Sequence, residues 1–127
     1  LYRELFVEPG GSCFVPVEYT DMYEAAHAAR LSGGVVVLAH PDVYDSFDAA
    51  SRLAQAGLLD GLECDYPRHR LDSAQRHWVL VEQYGLIPTG GTDFHGFYGA
   101  PPNPIGTCGV ETNVVARLRK AVGERMQ

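Results

Sequence analysis

The chain has 127 residues, of which 46% are hydrophobic and 20% charged, and its formal net charge is -6. That length holds one domain at most, and the composition is that of a globular chain rather than a disordered one. The acidic balance argues against general electrostatic binding to nucleic acid or an anionic membrane, while leaving room for a local basic site. No apolar run reaches the ~20 residues that a membrane span requires, and no basic start followed by a long apolar core marks a secretory leader. Cys13, Cys64 and Cys108 lie far apart with no C-x-x-C pair. Such usage suits a reducing cytoplasm better than a disulfide framework or structural zinc.

Residues 1–19 read as irregular, with a turn at Pro9-Gly10-Gly11-Ser12 and a short extended piece from Cys13 to Val17 that Pro16 would confine to an edge. Thr20 is a good N-cap type for a first helix over Asp21 to Leu31, which Gly33-Gly34 stops. Val35 to Ala39 is a continuous β-branched-rich run, expected as a strand buried on both faces, and it delivers His40-Pro41 at its carboxyl end. A second helix is predicted from Ser46 to Ala56, ended by Gly57, and then a strand from Gly61 to Asp65 that leads into Tyr66-Pro67-Arg68-His69-Arg70. A third helix, about Asp72 to Tyr84, stops at Gly85, and a third strand, Leu86 to Thr89, runs into Gly90-Gly91-Thr92-Asp93-Phe94-His95-Gly96. The glycines and prolines between Gly96 and Gly109 dictate a loop long enough to be functional. Thr112 or Asn113 then caps a last helix through Val122, with basic residues in its later turns.

The order α-β-α-β-α-β-loop-α is the rhythm of α/β proteins with parallel strands and right-handed crossovers. Three strands are too few to close a barrel. In such folds sites form outside the carboxyl ends of the strands, and here all three strands end in chemistry-bearing residues. Asp93 and His95 stand two apart between glycines. In an extended segment residues i and i+2 face one side, so the pair is a candidate set of oxygen and nitrogen metal ligands, with His40 converging from the first strand. Imidazole with carboxylate suits zinc, manganese or iron; magnesium alone would prefer oxygen. Arg68-His69-Arg70 is the densest positive patch in the chain. Guanidinium forks match phosphate oxygens, so Arg68 and His69 are candidates for phosphate binding, whereas the simplest partner of Arg70 is Asp72. Glu63 and Asp65 read most simply as solvated carboxylates, with support of a metal-bound histidine as the alternative. His27 and His77 read as packing or surface histidines, and Cys64 as core. Ser12 lacks the strand-turn-helix context of a nucleophile, and no phosphate-loop or dinucleotide fingerprint is present.

Three stretches carry a family likeness: Gly33 to Pro41, Gly57 to Glu63 continuing through Tyr66-Pro67-Arg68-His69, and Tyr84 to Gly96. They resemble, in order, consecutive motifs of the PHP (polymerase and histidinol phosphatase) family, in particular its stand-alone metal-dependent phosphoesterases, over about residues 12 to 110. The resemblance implies parallel βα units of a distorted (β/α)7 barrel with a metal cluster at its carboxyl rim. Residues 1–127 would form a single partial domain, its C-terminal part, since the opening His-x-His motif has no counterpart after Leu1. It implies His40, Asp93 and His95 as ligands of a divalent metal (Mn, Zn or Fe), Asp93 also as a catalytic residue, and Arg68 and His69 at the substrate phosphate. The implied reaction is hydrolysis of a phosphate monoester, nucleotide or short oligonucleotide by metal-activated water.

Because the three ligands serve different metals in the family, the chain alone is expected to bind metal weakly and to turn over little. A second reading is a non-catalytic half-barrel that self-associates or binds a partner through exposed sheet edges. Apolar surface left by missing strands makes a homo-oligomer the expectation. A metal-dependent amidohydrolase shares the rim and metals but fits the Arg68-His69 loop less well.

Overall fold

The structure, a computed structural model, describes residues 1–67, 74–98 and 103–125. After one π-helical turn at Arg3–Val7 the elements follow as α1 (Met22–Leu31), β1 (Val37–Leu38), α2 (Phe47–Gln55), β2 (Gly61–Asp65), α3 (Ala74–Tyr84), β3 (Ile87–Gly90) and α4 (Asn113–Arg125). The strands form one parallel sheet in the order β1-β2-β3, with Val37 opposite Gly61 and Gly61 opposite Ile87. The predicted alternation of helix and strand is therefore present, and each crossover returns the chain to the same sheet edge direction.

Local chemistry sets the boundaries. Asp21, rather than Thr20, caps α1, its carboxylate accepting the N–H groups of Tyr23 and Glu24 at 2.8 and 3.4 Å. Gly57 and Gly85 end α2 and α3 with φ of 68° and 66°, a region a Cβ disfavours. The Cys13 to Val17 piece joins no strand, because the Cys13 N–H is taken by the Leu5 carbonyl at 3.0 Å and Pro16 has no N–H to donate.

The expectation for Val35 to Ala39 needs correcting. Only Val37–Leu38 pairs as strand, both residues are half-buried, and Ala39 is exposed. The run lies at the edge of the sheet, and carboxylates end its ladder on both sides. Asp60 Oδ2 accepts the Val36 N–H at 2.7 Å, and Glu63 Oε2 accepts the His40 N–H at 2.8 Å.

The core gathers Ala26, Ala50, Leu53, Leu59, Leu62, Cys64, Val81 and Leu86. Leu62, fully buried on the central strand, contributes about 2 kcal/mol by leaving water. Helices α2 and α3 pack on each other, α3 on β2, and α4 on β3. At the amino end of the sheet Asp60 ties distant elements together. It receives Arg30 Nη1 from α1 at 2.7 Å and the Arg125 guanidinium from α4, which also reaches the Gly34 carbonyl. With this end fastened, the carboxyl ends are left to carry chemistry.

Candidate site at the carboxyl rim

Two of the three strands hand over to a residue with left-handed backbone. His40, just past β1, has φ of 49°, and Asp93, just past β3, has φ of 50°. Non-glycine residues in this region cost about 1–3 kcal/mol each and persist only where the surroundings hold them. For His40 the hold is the bond from its N–H to Glu63 on β2. For Asp93 the approach is set by Gly90, whose Cβ, if present, would lie 2.6 Å from the Asp65 carbonyl oxygen. The Gly91 N–H donates to that same oxygen at 2.9 Å, and Asp65 Oδ2 accepts the Gly109 N–H at 2.9 Å, so β2 also anchors the long loop.

These turns bring four polar side chains together. His40 Nε2 lies 3.5 Å from Glu63 Oε2 and 3.7 Å from Asp93 Oδ1. His95 Nδ1 lies 2.6 Å from the Asp93 carbonyl oxygen and 3.6 Å from Asp93 Oδ1. The Asp93 carboxylate thus stands between two imidazoles, though not through the extended i, i+2 geometry that the sequence spacing suggested. Asp93 is not extended; a left-handed turn folds His95 back onto it. His95 remains largely exposed, whereas His40, Asp93 and Glu63 are partly enclosed.

Among the described residues no group of three or more His, Cys, Asp or Glu side chains is arranged to hold a metal ion by itself. The donors meet in pairs. Their separations of 3.5 to 3.7 Å are too long for good hydrogen bonds. The His40 Nε2–Asp93 Oδ1 separation of 3.7 Å approaches the ~3.3 Å between two donors on one tetrahedral ion with bonds near 2.0 Å. The chemistry and spacing of the pairs fit a share of a metal site, not a whole one.

Arg68 and His69, the candidates for phosphate binding, lie outside the described residues, as does Arg70. Glu63, passed over in favour of a solvated role, is instead the contact of His40 through both backbone and ring. Its signal was present in the strand alternation Glu63-Cys64-Asp65, which points alternate residues to one side. Cys64 takes the core position between them. Burial, and then the charges of Glu63 and Asp65, push its thiol up to about 12, so it is no nucleophile near neutral pH.

Behind His40 lies a second polar group. The Tyr66 hydroxyl donates to Asp42 Oδ2 at 2.6 Å and accepts the Asp42 N–H at 2.9 Å, while His77 Nε2 of α3 lies 3.3 Å from Asp42 Oδ2. Burial, and then the bond to Asp42, hold the Tyr66 phenol above its ordinary range, which keeps it a donor. His77 is 1% exposed and packs on Phe47. It is a buried residue with a charged partner, a role that its helix position alone did not announce.

A parallel α/β chain with imidazoles and carboxylates at its carboxyl rim belongs to a broad class of folds that place sites there. Comparison with known proteins narrows it. The chain is 40% identical over 103 residues to a phosphoribosyl 1,2-cyclic phosphate 1,2-diphosphodiesterase of Eggerthella lenta, matching 81% of this chain and 38% of that protein. It is 27% identical over 97 residues to a 3',5'-nucleoside bisphosphate phosphatase of Chromobacterium violaceum, matching 71% of this chain and 33% of that one. The fold superposes on a crystal structure described as a metal-dependent phosphoesterase from Bifidobacterium adolescentis with a TM-score of 0.69 and 25% identity, covering 91% of this chain and 41% of the other. No family model matches the chain. The chain is a relative of PHP-type metal-dependent phosphoesterases, and the likeness covers most of its residues. It spans well under half the length of the relatives it matches.

Proposed function

We propose that this chain is the C-terminal part of a metal-dependent phosphoesterase domain and supplies part of its metal and phosphate site. The observation that carries the reading is the Asp93 carboxylate set between His40 and His95 at the ends of two parallel strands, with Nε2–Oδ1 and Nδ1–Oδ1 separations of 3.7 and 3.6 Å. The short share of each relative's length supports a partial barrel completed by further strands.

In this reading His40 and His95 present neutral imidazole nitrogens and Asp93 a carboxylate to a divalent ion, with zinc, manganese and iron the metals that donor set suits. A proton on His95 Nδ1 satisfies the Asp93 carbonyl and leaves Nε2 as the ligating lone pair. Glu63 fixes the direction of His40, and Arg68 and His69 take oxygens of the phosphate. A bound ion would supply water activated at neutral pH and offset charge on the phosphoryl oxygens. The relatives' names support a phosphate monoester or cyclic phosphodiester of a nucleotide or sugar as substrate, and the family resemblance adds a short oligonucleotide. The free cysteines fit a reducing, cytoplasmic setting.

The test is hydrolysis of a nucleoside 3',5'-bisphosphate with added manganese by the intact protein carrying this chain, compared with its Asp93→Ala variant. Loss of about a hundredfold or more is expected on removing a ligand. Undiminished hydrolysis in the variant overturns the assignment.

A second reading, a non-catalytic half-barrel that pairs with itself or a partner, is favoured by one observation. Val15, Val17, Tyr19 and Leu31 are exposed, and β1 is only half-buried. Such a module would bind its partner equally well with Asp93 replaced.

A further inference from the structure

We infer that His77, Asp42 and Tyr66 form a buried positioning network that holds the His40-Pro41-Asp42 turn, and with it the left-handed backbone of His40, in the geometry the rim site needs. The inference rests on the reading of His40 as a ligand. It assigns a role to Asp42 and His77, which neither the motif likeness nor the rim donors include, and to Tyr66, which lies within the likeness but was given no role there.

The turn is gripped from both sides. Before it, the His40 N–H is bonded to Glu63 at 2.8 Å. After it, Asp42 is bonded through its N–H and its carboxylate to one Tyr66 hydroxyl, at 2.9 and 2.6 Å, and its Oδ2 is 3.3 Å from His77 Nε2. Between them Pro41 is fully buried, its carbonyl accepting the Ser46 N–H at 2.9 Å. The rings pack around the same point. Tyr66 lies 5.8 Å from His40 and 6.1 Å from His77, and His77 lies 5.1 Å from Phe47.

Energetics separate this arrangement from ordinary packing. The Asp42 and His77 side chains are 2% and 1% exposed. Burying a carboxylate costs several kcal/mol unless it is paired, and apolar residues of the same volume would often stabilise the fold as well or better. What the polar set adds is direction. A carboxylate that accepts the Tyr66 hydroxyl and faces His77 Nε2 of α3, with its own N–H held by the same hydroxyl, restricts the turn to one placement, whereas an apolar contact tolerates sliding. A residue at φ of 49° needs such a hold. Ligands whose supports are removed keep their identity but lose affinity.

The test compares His77→Leu, His77→Gln and Tyr66→Phe with the unchanged intact protein by residue-resolved amide hydrogen exchange and by Co(II) titration followed in visible absorption. Exchange at the His40 and Val43 amides is expected to quicken about tenfold or more in His77→Leu and Tyr66→Phe through local opening, and Co(II) affinity to fall about tenfold. His77→Gln, which retains a donor, is expected to recover most of both. The Ile87 amide, bonded to the Asp60 carbonyl at the far end of the sheet, serves as the reference and is expected to hold its protection. Unchanged exchange at His40, or exchange that quickens equally at Ile87, overturns the inference. Should His77→Leu fail to fold, Tyr66→Phe, which deletes only a hydroxyl, decides. His40→Ala separates the two claims: Co(II) affinity unchanged in that variant ends the ligand reading, while the exchange result still judges the network.

Discussion

At the scale of single residues, Glu63 shows how a carboxylate that looks solvated in sequence becomes a support. It accepts the His40 N–H at 2.8 Å and lies 3.5 Å from the His40 ring. Glu63→Ala is therefore expected to lower the metal affinity of the intact protein by about 10–100-fold, measured by isothermal titration calorimetry. An unchanged affinity would return Glu63 to the solvated role. Cys64 makes a prediction with a definite sign. Its thiol ionises at 9.0 in the unfolded reference and at about 12 in the fold. From pH 9.0 upward the unfolded chain therefore releases a proton that the folded chain keeps, and this contribution to stability falls until about pH 12. Urea denaturation across that window should show a steeper loss for the unchanged chain than for Cys64→Ala. Equal slopes would contradict it.

At the scale of elements, the parallel βα order and the boundaries of β2 were legible, since the strand expected from Gly61 to Asp65 is the strand that forms. The glycine stops at Gly57 and Gly85 were legible for the same reason: a residue without Cβ marks where a helix must turn. The edge position of β1 was not. A β-branched run reads alike at the edge and the centre of a sheet, and only pairing on one side distinguishes them. The left-handed backbone of His40 and Asp93 was also hidden, because hydrophobic periodicity carries no information on φ at a strand's end. The contact of His77 with Asp42 depends on how α3 packs beside α2. No local pattern encodes it. The Asp60 tie likewise joins α1, α4 and β1 across long stretches of chain. Asp60→Ala would leave Arg30 and Arg125 partly buried without their carboxylate, at a cost of about 3 kcal/mol. The expected outcome is a lower melting temperature with metal affinity preserved, since the tie lies at the opposite end of the sheet. A loss of metal affinity in a folded variant would show that the two ends are coupled.

At the scale of the whole molecule, the sheet has two edges among the described residues and a scatter of exposed apolar side chains, among them Val15, Tyr19 and Leu31. No described helix is long and apolar enough to cross a membrane. Residues 1–127 produced alone are expected to self-associate, which sedimentation velocity over a range of concentrations would show as a rising mean mass. A constant monomer would mean that the edges are protected by the chain itself. In the reading proposed above, the described donors meet in pairs rather than as a cage because the remaining ligands would come from the rest of a longer domain.

The central claim is that His40, Asp93 and His95 take part in holding a catalytic metal. Metal content of the intact protein by mass spectrometry, set beside that of Asp93→Ala, tests it most directly. The account predicts bound zinc, manganese or iron in the unchanged protein and the loss of about one equivalent or more in the variant. Full metal content in a folded Asp93→Ala protein would contradict it.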